Sequence, residues 1–188
     1  MLLSTSIADG AVTLRPFRLE DSTQLYQAVR ESLSELKPWM SWAHDTYSHQ
    51  DADDFIRITR ARWEEKTLYA FAITDAQTGE VLGGCSLSHK NPVYHYCNLG
   101  YWVRTSRCHE GLAGRAAKLV AHLGFEQAGV IRAEIVVAVG NEKSVRVAEK
   151  MGAHYEGLLL NRMVVGKAIY DAHMFSMIPS DFGLSAHL

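Results

Sequence analysis

The chain predicts a mixed α/β (α+β) fold: a mostly antiparallel sheet flanked by helices on both faces. Strand-like and helix-like patterns alternate in the order β-α-α-β-β-β-α-β-α-β-β. The three central strands follow one another through short turns, as in an antiparallel meander. A later strand, Ile131–Val139 (IRAEIVVAV), scarcely alternates, as expected where both faces are buried.

Each element has a local reason. Val12–Phe17 (VTLRPF) reads as a short edge strand, with Pro16 near its end, where a missing donor is tolerated. Glu20–Leu36 places Leu25, Val29, Leu33 and Leu36 on one helical face, with Asp21 or Ser22 as its cap and Lys37-Pro38 as its stop. A loop carrying Trp39, Trp42, His44 and Tyr47 follows. Asp51–Lys66 is a second amphipathic helix, with Asp51, Asp53 and Asp54 at the positive end of its dipole. The meander comprises Leu68–Thr74, Val81–His89 and the aromatic Tyr94–Arg104, joined by turns at Asp75–Gly79 and Asn91-Pro92. Gly83-Gly84 marks a close backbone approach or a bulge. Gly111–Gln127 is a helix with Leu112, Ala116, Leu119, Val120 and Leu123 on one side. Asn141–Met151 is a short helix with Gly152 at its C-cap. Tyr155–Val165 and Ala168–Ile178 close the chain around Gly166-Lys167.

With 188 residues and neither repeat nor linker, one domain over 1–188 is expected, with its core at about 8–180 and a short tail at 181–188. The 19 Lys+Arg against 21 Asp+Glu give a net charge of −2, which argues against nucleic acid or an anionic membrane as partner. No apolar run approaches the ~18 residues of a membrane span. The opening residues, MLLSTSIADG, lack the basic and apolar regions of a signal peptide. Cys85, Cys97 and Cys108 form no C-x-x-C and are expected to be reduced thiols of a cytoplasmic protein. The nine histidines show no recognised ligand spacing, so no metal is expected.

The most informative stretch is Tyr101–Arg115 (YWVRTSRCHEGLAGR), where a strand ends and a loop leads into a helix. First-turn amides of a helix lack internal partners and, with the dipole, form an anion site suited to phosphate. Gly111 admits a ligand to the backbone, Ala113 and Gly114 keep the first turn open, and Arg104, Arg107 and Arg115 add positive charge. The same residues also read as an ordinary strand–loop–helix join with solvated arginines.

Residues 95–151 resemble the acetyl-CoA-binding core of the GNAT acetyltransferase superfamily, and in particular its RimJ/RimL branch, whose best-known members acetylate ribosomal-protein N-termini. The family loop Q/R-x-x-G-x-G/A is matched by Cys108-His109-Glu110-Gly111-Leu112-Ala113. Gly100-Tyr101-Trp102-Val103 is similar to the family's G-Y-W-ϕ strand. Gly140–Gly152 is similar to its N-x-x-S-x-x-ϕ-x-x-K-x-G-F helix. The ordered spacing of these blocks, the N-terminal T-L-R-P-F and the last strand with Asp171 extend the likeness over most of the chain. Two positions depart from the pattern: Cys108 stands where the family has Gln or Arg, and Gly114 weakens the helix's first turn.

The resemblance implies a GNAT fold with acetyl-CoA in a groove between splayed strands and direct acetyl transfer to an amine, without an acyl-enzyme. It places the thioester and pantetheine along Tyr101, Trp102 and Val103, and a backbone amide near Gly100–Trp102 at the carbonyl oxygen. It puts the pyrophosphate on the amides of His109, Glu110, Gly111, Leu112, Ala113 and Gly114, with either Arg107 supplying the charge missing at Cys108 or the backbone amides sufficing without it. It gives Asn141 to the pantetheine and Ser144 to the departing thiolate. By ordinary capping preference Asn141 is equally an N-cap and Ser144 a small polar residue of a first turn. His89 is the candidate base, since it closes a central strand and its unperturbed pKa suits the task; His109, Glu110 and His173 are weaker candidates, and water is an alternative. A nucleophilic Cys108 is disfavoured, because His109 is adjacent only in sequence and no orienting partner is evident.

The resemblance lays the aromatic loop of residues 31–50 over the acceptor groove, where Asp45 and Asp51–Asp54 would attract a cationic amine. A hydrophobic plug and a helix N-terminus explain the same residues. The expected acceptor is a protein N-terminus or a small-molecule amine. A non-catalytic acyl-CoA-binding module is the competing class, and a redox-sensing thiol at Cys108 a remote third. A homodimer is compatible with the family, though the sequence carries no signal for one.

Overall fold

The computed structural model describes residues 1–186. Eight strands form one sheet: β1 (Ile7–Ala8), β2 (Val12–Pro16), β3 (Tyr69–Asp75), β4 (Val81–Ser88), β5 (Tyr96–Val103), β6 (Arg132–Ala138), β7 (His154–Val165) and β8 (Ala168–Met177). Their spatial order is β1-β2-β3-β4-β5-β6-β8-β7. Every neighbouring pair is antiparallel except β5 and β6. The expected meander is present as β3-β4-β5. VTLRPF is not the edge, however: two residues of β1 pair outside it, a segment too short to show any periodicity.

The helices are α1 (Ser22–Glu31), α2 (Leu33–Leu36), α3 (His49–Glu64), α4 (Leu112–Gln127) and α5 (Glu142–Lys150). Alternation along the strands feeds two cores. Val12, Leu14, Phe71 and Ile73 point to one face and pack with Leu112, Ala116, Val120 and Leu123 of α4. Ala70, Ala72 and Val81 point to the other face and pack with Leu25 and Val29 of α1 and with Ala52 and Ile56 of α3. Helices therefore cover both faces, as the element order requires.

The first helix departs from the expected Glu20–Leu36. It breaks at Ser32, whose fully buried hydroxyl donates to the Ala28 carbonyl oxygen and accepts from the Thr105 amide. The second helix begins at His49 rather than Asp51, because Ser48 and Asp51 form a reciprocal capping box. Gly83-Gly84 is both close approach and bulge. Ile73 pairs with Gly83 but Thr74 with Val81, leaving Leu82 as the extra residue. A Cβ on Gly83 would lie 2.1 Å from the Trp102 carbonyl oxygen.

The tail starts later than expected. Pro179–Phe182 forms a single helical turn, with Phe182 against Phe125 at 5.5 Å between ring centroids and Asp181 within 2.8 Å of His154. Residues 187–188 of the expected tail lie outside the described residues. Among the described residues no helix is long and apolar enough to cross a membrane.

Candidate active site

The site is built on the parting of β5 from β6. The two strands pair only at Tyr96–Arg132, Cys97–Ala133 and Asn98–Glu134. Both then continue, β5 to Val103 and β6 to Ala138, so the β5 edge over Leu99–Val103 faces an opening instead of a strand. Side chains alternate there. Tyr101 points toward α5, where it meets Ser144, and Trp102 toward α1 and α3. Trp102 fits because its neighbour on β4 is Gly84, where a Cβ would lie 2.8 Å from the indole Nε1.

At the end of this free edge the chain turns into α4. His109 and Gly111 both adopt positive φ, 71° and 76°, swinging the loop back over the helix start. Ser48 and Asn141 cap α3 and α5, but no side chain caps α4. A Cβ on Gly111 would meet nothing within 4 Å. The first-turn amides thus open onto empty space at the positive end of a sixteen-residue helix, a fit for a phosphate group. Leu112 is buried in the core, so only its amide is available there. Gly114 faces α5, where a Cβ would make ordinary contact at 3.8–3.9 Å with Met151 and Val147.

The arginine contribution is corrected. Arg104 is held by Glu31 and Glu80, Arg107 by Glu110 and Asp75, and Arg115 by Asp9. The Glu110 carboxylate raises the Arg107 pKa and is itself lowered by it. Arg107 therefore does not supply the charge missing at Cys108, and Glu110 is not poised as a base. At the loop the guanidinium groups are paired with carboxylates, whereas the first-turn amides of α4 carry no side-chain cap. Sequence reasoning missed Glu31 and Ser32. Glu31 accepts from the Ser106 amide at 2.8 Å and Ser32 from the Thr105 amide at 2.9 Å, so the end of α1 clamps the segment that leads into the loop. Nothing local in the sequence signals a clamp between residues so far apart.

On α5, Asn141 is the N-cap, its side chain accepting from the Ser144 amide at 3.3 Å. The Ser144 hydroxyl lies 3.3 Å from the Tyr101 hydroxyl, across the opening. Burial pushes the Tyr101 phenol up to about 12. His89 does not join this pair. It is exposed, bonds Ser88, and follows the end of β4 at a φ of 50°, beyond Cys85, the register partner of Tyr101. The assignment of His89 as base is corrected on that placement, which puts it past the strand end and with Ser88 rather than with the Tyr101–Ser144 pair. His109 is exposed, and His173 bonds Tyr155. The Cys108 thiol is pushed up by burial and donates to the Arg104 carbonyl oxygen at 3.5 Å.

The aromatic loop lies across the opening. Trp39 packs near Gly140 and Tyr170, beyond β6, and Trp42 packs against Trp102 of β5 with the ring planes tilted by 55°. Lys143 of α5 pairs with Glu35 of α2 on the same side. Among the described residues no group of three or more His, Cys, Asp or Glu converges as a metal site.

This architecture has close counterparts. The Bacillus subtilis (strain 168) protein YdaF, a provisionally assigned ribosomal N-acetyltransferase, is 24% identical over 173 residues, covering 91% of this chain and 93% of its own. A structure of a Vibrio cholerae protein, provisionally assigned as a ribosomal-protein-serine acetyltransferase, superposes with a TM-score of 0.82 at 28% identity. That match covers 95% of this chain and all of the other. RimL, described as a ribosomal L7/L12 α-N-protein acetyltransferase in complex with coenzyme A, shares the fold. Its TM-score is 0.77 at 19% identity, over 93% of this chain and 98% of its own. The model of the acetyltransferase (GNAT) domain matches residues 11–154, so the chain belongs to the GNAT acetyltransferase family.

Proposed function

We propose that the protein transfers the acetyl group of acetyl-CoA directly to a primary amine, and that the acceptor is the N-terminal α-amine of a protein, a ribosomal protein in the first instance. One observation carries the cofactor: a free strand edge, Leu99–Val103, leads into the uncapped start of α4. An extended arm ending in phosphates matches that arrangement, hydrogen bonds along the edge and amides at its end. The coenzyme A complex of RimL and the names of the other two relatives support the reading.

Acetyl-CoA supplies the activated acetyl group. The chain's residues position and protonate. Amides of His109–Ala113 take the pyrophosphate, and an amide near Gly100–Trp102 takes charge developing on the acetyl oxygen. Tyr101, neutral across the physiological range, and Ser144 beside it hold a proton at the departing sulfur. In this reading water carries off the amine's proton. The same reading takes the chain as one acetyltransferase domain working in the cytoplasm, in keeping with three unpaired cysteines.

The test is a thermal shift with acetyl-CoA followed by thiol release with N-terminal peptides and small amines. Stabilisation with release on peptides supports the proposal. Release on small amines alone moves the acceptor to that class. Stabilisation without release from any amine leaves a binding module, and no stabilisation removes the cofactor.

A further inference from the structure

A cavity of about 310 Å³ opens between α1, α3 and the aromatic loop. Its walls are Leu25, Trp42, Tyr47, Phe55 and Trp102, and the carboxylates of Asp51 and Asp54 stand among them. The rings cluster at an angle: Trp42 and Trp102 lie 5.8 Å apart between centroids with planes tilted by 55°, and Trp42 meets Tyr47 edge-on at 6.4 Å. Trp42 and Ile58, which both line it, are 38% and 52% exposed, so apolar surface borders the carboxylates at the cavity mouth.

The charge is one-sided. His44 is the one other titratable side chain besides Tyr47 and the two carboxylates, and no lysine or arginine lines the cavity. Asp51 Oδ2 accepts from the Ser48 amide and hydroxyl, while Oδ1 lies 3.9 Å from His44 Nε2. Asp54 gives Oδ1 to Gln50 and to Arg57, leaving Oδ2. Aromatic faces beside carboxylates are the chemistry that holds an organic cation. Trp102 connects the cavity to the opening, because its backbone belongs to the free β5 edge and its ring to the cavity wall.

We propose that this cavity binds a second positive charge on the acceptor, an alkyl-borne ammonium or guanidinium separate from the reacting amine: a lysine or arginine side chain next to a peptide N-terminus, or the far end of a diamine. The inference rests on the acetyl-transfer reading and names the acceptor's chemical class.

Binding is measured without turnover, by calorimetry on the full chain saturated with coenzyme A. One set of probes is short peptides with alanine first and lysine, norleucine or glutamate second. The other is 1,5-diaminopentane against pentylamine. The lysine peptide is expected to bind about tenfold more tightly than the norleucine peptide, a difference of 1.4 kcal/mol, and the glutamate peptide more weakly than either. A preference seen only with 1,5-diaminopentane supports the cavity and makes the acceptor a small amine. Asp54→Asn, at an exposed position on α3, brings the lysine-to-norleucine ratio toward one, and Trp42→Ala does so with both carboxylates kept. Equal affinity for lysine and norleucine peptides and for both amines, or no binding of any probe, overturns the proposal. An intact cation preference with no acetyl transfer to any amine overturns the transferase reading and leaves the cavity standing.

Discussion

Ser144 and Tyr101 are joined twice: the Ser144 hydroxyl donates to the Tyr101 hydroxyl at 3.3 Å, and the latter donates to the Ser144 carbonyl oxygen at 3.2 Å. The pair ties β5 to α5 where β5 has left β6, so it borders the place where a thioester would lie. Removing either hydroxyl takes away a proton donor but little packing. Ser144→Ala and Tyr101→Phe are each expected to lower kcat by about 10²-fold, the lower end for acid–base groups, while acetyl-CoA affinity changes little. Thiol release and calorimetry make the comparison, and equal loss in both quantities would assign the pair a structural role.

Glu31 gives a pH signature. Its hydrogen bonds to Arg104, with further help from Ser106, hold its pKa down from 4.5 to about 2. A carboxyl lowered on folding stabilises the native state fully above its unfolded pKa and loses that contribution as pH falls toward the folded value. The Tm gap between wild type and Glu31→Gln should therefore stay constant from neutral pH down to about 5 and narrow below about 4. A gap independent of pH would mean that the carboxylate charge contributes nothing to the clamp.

Why some of this was legible and some not follows from distance along the chain. The meander, the loop after β5 and helix α5 were readable because each is set by neighbours in sequence: alternation, a glycine at positive φ, an asparagine cap. The arginines of the loop were misread because their carboxylate partners lie 24 to 106 residues away, except for Glu110. His89 looked placed for catalysis until the β4–β5 register set Cys85, not His89, opposite Tyr101. The break at Ser32 has no proline or glycine to announce it, and one of the two partners of its hydroxyl, the Thr105 amide, lies on another element.

Gly83 tests the packing under the site. A Cβ there would stand 2.1 Å from the Trp102 carbonyl oxygen and 2.8 Å from the Val103 Cα, both backbone atoms that cannot rotate away. Gly83→Ala is expected to destabilise the protein by about 3 kcal/mol, at the upper end of ordinary overpacking. Gly100→Ala on the adjoining strand meets only the Ser86 hydroxyl oxygen, at 3.6 Å, and the Asn98 side chain, so it should cost much less. Denaturant titration of both variants gives the contrast.

Cys108 should be dispensable. Burial raises its pKa and its thiol is spent on backbone carbonyls, so it is a thiol rather than a thiolate at neutral pH. Cys108→Ala is expected to retain most acetyl transfer, and slow alkylation of this residue in the wild type should accompany that result. Complete loss of transfer in a folded variant would restore the covalent reading.

Gly111 allows strain and ligand exclusion to be separated. At φ 76° an alanine costs about 1–2 kcal/mol, while asparagine tolerates the left-handed region. Space around a new Cβ is empty in the protein alone, so neither residue meets a protein clash. Gly111→Ala should therefore lower Tm and Gly111→Asn should lower it less. If phosphates occupy the empty space above the α4 amides, both variants lose acetyl-CoA affinity, asparagine no less than alanine because its side chain is larger. Affinity that instead follows Tm, with asparagine restoring both, would mean that the glycine serves the turn alone and that the phosphates sit elsewhere.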